Sequence, residues 1–242
     1  MDRKSEDEAR KGRLQFFRFL FSQVPFQALL LAHQADDLAE TVLKRVLEGA
    51  HLSFLGGMEP VSQQQGMPIW RPLLTIKRSE ILTFLEERSL LPIHDPTNLD
   101  PAYLRARMRI EIIPSLNQAF GKETTENLIL LSERASELRC YLDKKIASAK
   151  VYRGGWGVLV EMEGLERIER RHLLQKIARE ESLVLSRPVL ETLLNWIEEG
   201  GGREIFVGKT EKNFCRERGG FFLFFIPKRL SFNFMQIEVE TI

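Results

Sequence analysis

Chemistry is densest in one stretch, Leu31-Ala32-His33-Gln34-Ala35-Asp36-Asp37-Leu38-Ala39-Glu40-Thr41-Val42. His33 ends an apolar block at residues 28–32, and three acids, Asp36, Asp37 and Glu40, follow closely. Helical spacing of three and four puts Glu40 on the face of Asp36 and Asp37, near the histidine. Such a group suits two tasks. Carboxylates can hold Mg2+ on a nucleotide, and a carboxylate or imidazole can take the proton from an amine nucleophile. Acids in a first turn also stabilise the helix's positive end, by about 0.3–1 kcal/mol, with no ligand at all. That accounts for one acid; a histidine at the strand tip and a third acid go beyond it.

A second cluster is basic. Arg105, Arg107 and Arg109 fall in YLRARMR, and no acid occurs between Asp100 and Glu111. The run could meet phosphate, or it could be a solvated surface; charge alone leaves both open. Other candidates are weaker. Val207-Gly208-Lys209-Thr210 imitates the end of a phosphate-binding loop, but Gly202 and Gly208 enclose one residue too many and strands flank the segment. His94-Asp95-Pro96-Thr97-Asn98 reads as a turn whose side chains bond local backbone. Cys140 and Cys215 form neither a disulfide framework nor a zinc pattern.

The elements that must position these residues follow from patterning. Residues 28–32 read as a strand buried on both faces, and Ala39, Val42, Leu43, Val46 and Leu47 repeat at helical spacing until Gly49. A strand running tightly into a helix is half of a βαβ unit, whose carboxyl-end crevice is where open α/β sheets bind ligands. Residues 5–21 read as an amphipathic helix. Residues 69–71 read as a short strand ended by Pro72, and residues 77–88 as a helix that Thr75 can cap. Pro114 is expected to close the following segment, and Gly121 precedes a long helix bearing Leu128, Leu131, Ala135, Leu138, Leu142 and Ile146 on one face. Beyond it, residues 157–161 read as a strand, 165–180 and 188–199 as helices, and 203–242 as strand-rich.

The expected architecture is α/β: a partial Rossmann-like parallel-sheet domain at 1–120, a linking helix at 121–150, and a smaller α+β domain at 151–242. With 242 residues, 43% hydrophobic, and a net charge of +1, the chain is too apolar and too nearly neutral for disorder. No apolar run approaches the roughly eighteen residues of a membrane span, and the charged N-terminus has no secretory core. A cytoplasmic protein without a membrane partner is expected.

LAHQADDLAETVLKRVLEGA resembles the signature of tRNA(Ile)-lysidine synthetases, members of the N-type ATP pyrophosphatase superfamily with an adenine nucleotide alpha hydrolase-like fold. Leu55-Gly56-Gly57-Met58, Arg71-Pro72-Leu73-Leu74, Asp95-Pro96-Thr97-Asn98, Tyr103-Leu104-Arg105-Ala106-Arg107-Met108-Arg109 and Ile113-Pro114-Ser115-Leu116 follow in that family's order. The resemblance implies that ATP adenylates C2 of the wobble cytidine of a CAU-anticodon tRNA(Ile), and that the ε-amine of free L-lysine then displaces AMP. It implies that His33, Asp37 and Glu40 handle lysine and the adenylation site, with Asp36 assisting Mg2+. It further implies that Arg13 approaches ATP or adenylate phosphates and that Arg105, within the Arg105/Arg107/Arg109 run, meets tRNA. Which of His33, Asp37 and Glu40 is the base stays open.

The family's Ser-Gly-Gly-x-Asp-Ser loop does not occur in these 242 residues. Ala106 stands where the family usually has Asn, and His94 where it often has an acid. The resulting expectation is a chain that begins part-way into the nucleotide domain, exposing residues 28–32 and the apolar face of the 38–47 helix and inviting self-association, a homodimer included. Two other readings stay open: a tRNA-binding or partner-docking remnant without catalysis, and a related tRNA 2-thiolation enzyme.

Overall fold

The computed structural model describes residues 3–64, 66–93, 100–154, 157–181, 183, 185–199, 206–207, 213–217 and 220–224. The described residues form a mixed α/β protein with a helical majority and two small sheets. The chain divides into two compact units, Met1–Arg139 and Cys140–Ile242. The motif at His94–Asn98 and residues 208–210 and 225–242 lie outside the described residues.

The first unit opens with α1 (Arg3–Gln23). Leu14, Phe17, Leu20 and Phe21 are half-buried there, while Phe16 and Phe19 stay exposed. Strand β1 (Leu29–Leu30) leads into α2 (Ala35–Leu47). A hairpin of β2 (Val61–Gln64) and β3 (Met67–Trp70) then places β3 between β2, antiparallel, and β1, parallel. The parallel β1–α2–β3 connection is the expected βαβ unit. Strand β1 is two residues long and lies at the sheet edge with Leu30 64% exposed, which fits the expected exposure of residues 28–32 and not burial on both faces. The apolar face of α2 is covered at its start, where Leu38 and Val42 pack with Leu74 against Met58, Leu128 and Leu131, while Val46 and Leu47 near its end stay exposed as expected.

Helix α3 (Arg78–Glu87) starts as patterned but is not capped by Thr75. Glu80 reaches back instead and accepts from the Lys77 N–H at 2.8 Å. The expected break at Pro114 is also corrected. One helical run extends through α4 (Leu104–Arg107), a π turn (Met108–Ile112) and α5 (Ile113–Phe120), and ends at Gly121 with φ +63°. Proline has no N–H and its ring crowds the carbonyl one turn back. The wider π turn, closed by the Ile113 N–H on the Met108 carbonyl, relieves that conflict just before Pro114.

Helix α6 (Thr124–Lys145) buries Thr125, Ser132, Ala135 and Leu142 along one face. Ser132 Oγ donates to the Gly56 carbonyl at 2.6 Å. A Cβ on Gly56 would stand 2.7 Å from Ser136 Oγ, and one on Gly57, where φ is +71°, would stand 2.7 Å from Leu38 Cδ1. The Gly-Gly motif is therefore the close approach that lets α2 and α6 share one core.

The second unit is built on an antiparallel sheet in the order β4 (Val151–Gly154), β5 (Gly157–Val160), β8 (Gly220–Phe224), β7 (Asn213–Glu217), β6 (Phe206–Val207). Strand β4 carries no strong apolar pattern and was not expected. Helices α7 (Arg167–Glu180) and α8 (Arg187–Glu198) add Leu174, Ile177, Leu193 and Leu194 to a core with Val158 and Val160. Buried His172 bonds Asp143 Oδ1 at 3.2 Å, and Lys176 Nζ donates to the same oxygen at 2.9 Å.

Replacing Gly57 by Ala should cost about 1–3 kcal/mol, combining a disfavoured φ with overpacking against Leu38. Gly66 shares a positive φ but faces open space, so Gly66→Ala should cost only about 1 kcal/mol or less. Urea denaturation of both variants checks the difference; equal losses would mean that the approach of Gly57 to α2 is not tight.

Candidate active site

The carboxyl end of β1 delivers His33, half-buried, two residues ahead of α2. The helix then separates its acids by rotation. Asp36 points to α3: its Oδ2 accepts from the Arg78 N–H at 2.8 Å, at the first helical position of that element. The Ala35 N–H donates to the Ile76 carbonyl at 3.0 Å, so the starts of α2 and α3 are tied twice. Asp37 Oδ2 accepts from the Gln34 N–H at 3.1 Å, closing the first turn of its own helix.

The other oxygen of Asp37 and the whole of Glu40 face the helical run at 104–120. Arg109, on its π turn, donates Nε to Glu40 Oε1 at 2.8 Å, and its Nη2 lies 2.7 Å from the same oxygen. The same Nη2 donates to Asp37 Oδ1 at 3.2 Å. Glu40 is only 2% exposed, and its Oε2 is buried without a hydrogen-bond partner. Burial pushes the Glu40 carboxyl above the usual range; Arg109 and, more weakly, Arg105 pull against that, while Asp37 adds to it. The result is a pair of carboxylates and one guanidinium at a strand-to-helix junction, with acceptor capacity left over. Such a group can receive a cationic donor or exchange a proton with one.

The remaining expected residues fall elsewhere. Arg105 is exposed on α4. Arg107 donates Nη1 to the Pro101 and Ala102 carbonyls at 2.8 and 3.3 Å, bracing the turn before its helix. Arg13 is exposed on α1. The basic run therefore splits into one solvent-facing arginine, one turn brace and one inward partner of the acids. Sequence reasoning missed that inward partnership. The available signal was Arg109 sitting between Met108 and Ile110 in a run without acids, where a partly buried cation needs a distant carboxylate.

Among the described residues no group of three or more His, Cys, Asp or Glu side chains could hold a metal ion. Among the described residues no helix is long and apolar enough to cross a membrane.

Residues 2–116 match the PP-loop domain family. The chain is 35% identical over 223 residues to a tRNA(Ile)-lysidine synthase of Protochlamydia amoebophila, covering 90% of this chain and 48% of that protein. It is 44% identical over 143 residues to one of Chlamydia felis, covering 59% of this chain and 45% of that one. A third, from Chlamydia trachomatis serovar L2, is 35% identical over 204 residues, covering 82% and 63%. The chain thus spans about half the length of the first curated relatives it matches. Among solved structures, a U34-tRNA thiolase, NcsA from Methanococcus maripaludis with its 4Fe–4S cluster, aligns with a TM-score of 0.42 and 22% identity, covering 57% of this chain and 45% of that one.

Asp36→Ala should lose about 0.5–2 kcal/mol of stability by freeing the Arg78 N–H, while Asp36→Asn, which keeps an acceptor, should lose less. Thermal melts of both decide it; equal behaviour would deny the cap. For Glu40, a folded-state value raised above the unfolded one means that the native state binds more protons between the two. Wild-type stability relative to Glu40→Gln should therefore be greatest in acid and fall as pH rises through the folded value. Denaturation curves across that range should show this fall, and a rise would reverse the assignment.

Proposed function

Residues 2–116 belong to the PP-loop domain family and the chain is a homologue of proteins named tRNA(Ile)-lysidine synthase, and from this we propose that it acts in ATP-dependent modification of a tRNA wobble base. The reaction is ligation of L-lysine to C2 of the wobble cytidine in a CAU-anticodon tRNA(Ile). ATP first converts that carbon's oxygen to an adenylate, releasing pyrophosphate. The lysine ε-amine then attacks C2, its C–N bond forms as the C–O bond to AMP breaks, and the ammonium proton passes to a base on the protein. Relatives that carry this name at 35–44% identity support the reading.

The observation that carries it to the chemistry is the carboxylate pair of buried Glu40 and half-buried Asp37. A lysine ammonium is inert until it loses a proton, and Asp37 and Glu40 provide both the negative charge that attracts it and an acceptor for the proton. His33 stands at the same strand end as an alternative acceptor. Arg13 is proposed to approach the ATP or adenylate phosphates and Arg105 to meet the tRNA, both being exposed cations able to pair with phosphate. Mg2+ enters with ATP as a counter-charge to its phosphates. Residues 1–120 are the proposed nucleotide domain, 121–150 the linking helix and 151–242 the tRNA-contacting region. The setting is the cytoplasm, and a homodimer is the proposed form.

A second reading is tRNA binding without ligation. One assay separates the two. ATP-dependent incorporation of labelled lysine into CAU-anticodon tRNA(Ile) is measured, with elongator methionine tRNA as control and Asp37→Ala as blank. Incorporation lost on Asp37→Ala, by about 10²-fold or more, is the expected result. Selective tRNA binding with no incorporation would establish the second reading instead.

A further inference from the structure

We infer that Arg109 is a positioning residue for the acidic pair: its single guanidinium fixes Glu40 Oε1 and Asp37 Oδ1 together, so that the pair stands ready for an ammonium-bearing ligand. The inference rests on the proposed reading of the site for the ligand's identity, and on geometry alone for the role of Arg109.

Three observations carry it. Both a side-on and an end-on nitrogen of Arg109 lie against one oxygen of Glu40, Nε at 2.8 Å and Nη2 at 2.7 Å. The end-on nitrogen also reaches Asp37 Oδ1 at 3.2 Å, so one planar fork spans two carboxylates on successive turns of α2. Glu40 Oε2 is buried with no hydrogen-bond partner, so the pair is fixed from one side and unsatisfied on the other. An ionised carboxylate offers about four lone pairs, and a donor that brings positive charge completes the set better than a neutral one.

The electrostatics agree. The charged groups acting on Glu40 are Arg109 and Arg105 from the 104–120 run and Asp37 from its own helix. Burial and Asp37 favour the neutral acid; the arginines favour the carboxylate. Only Arg109 donates directly to Glu40 among the described bonds, so it is the group that most strongly pulls Glu40 toward its charged form. The π turn gives Arg109 its place: it shifts the helical phase just ahead of Pro114, and a side chain in a basic run comes to face inward.

The test reads the carboxyl itself. The chain is made with glutamate labelled with 13C at the side-chain carboxyl, and Glu40, assigned by its loss in Glu40→Gln, is titrated by NMR in wild type, Arg109→Gln and Arg109→Lys. L-lysine affinity is measured by calorimetry on the same samples, and folding by thermal melts. In Arg109→Gln the Glu40 midpoint should rise by about one pH unit or more, and lysine affinity at mildly acidic pH should fall roughly tenfold with it. Arg109→Lys keeps a cation but cannot bridge both acids, so its midpoint should lie between the two. An unmoved midpoint in folded Arg109→Gln overturns the inference. If that variant does not fold, Arg109→Lys decides: a midpoint above wild type supports the inference and one equal to it overturns it. Wild-type protein that does not bind lysine, with the midpoint still moved by Arg109→Gln, would overturn the proposed ligand and leave the positioning role standing.

Discussion

A carboxylate almost wholly removed from water is the constraint around which the first unit is arranged. Glu40 is 2% exposed, and a charge in that position is costly unless another charge meets it with directed hydrogen bonds. The counter-charge comes from 69 residues further along the chain, at Arg109. Meeting it requires the helical run at 104–120 to bring Arg109 within hydrogen-bond reach of α2, with Ala106 and Met108 buried near it in sequence. A buried ion pair of this kind is weak evidence for added stability, since an apolar pair of equal volume often does as well. What the pair does supply is geometry: two acids held together at the strand-to-helix junction of a βαβ unit.

Holding α2 still is a separate task, done by apolar contact and close backbone approach. Leu38 and Val42 face Leu74, Met58, Leu128 and Leu131, while Gly57 passes directly over Leu38 and Gly56 sits against Ser132 and Ser136. The helix is therefore fixed on one side by close packing and on another by charge. Rotating it by one residue, about 100°, would lose both sets at once. That coupling makes the acids' positions stiff, which is what a proton-transfer geometry needs.

Much of this was legible in the residues. The strand-to-helix junction, the helix over α2, the long helix after Gly121 and the helices of the second unit follow from period and punctuation, because each is a long local pattern with a clear stop. The helical run at 104–120 was hidden by Pro114, which forbids a regular α-helix and is admitted by the π turn. Strands β2 and β4 were hidden because VSQQ and VYRG have too little apolar alternation to stand out, and pairing with β3 and β5 supplies what propensity does not. The resemblance to lysidine synthetases was carried by motifs whose reasons the sequence could not give. Two of them are now physical: Gly56-Gly57 is a packing contact, and Arg71 is a brace whose Nη1 donates to the Glu59 carbonyl and to Ser62 Oγ.

The three acids show where reading by residue type stops. In the sequence Asp36, Asp37 and Glu40 form one cluster, and helical spacing brings them to one side. Adjacent residues on a helix nevertheless diverge by about 100°, and that is enough to give Asp36 and Asp37 different duties. Asp36 spends an oxygen on the N-terminus of α3, a contact any helix start would welcome. Asp37 divides its oxygens between the Gln34 N–H and Arg109, and Glu40 keeps one oxygen unspent. Capacity left unsatisfied in a buried group is the feature that distinguishes preparation for a ligand from ordinary capping, since capping ends once the backbone donors are met. By that criterion Glu40 and Asp37, braced by Arg109, hold the spare acceptor capacity of the proposed site, while Asp36 ties the start of α2 to that of α3.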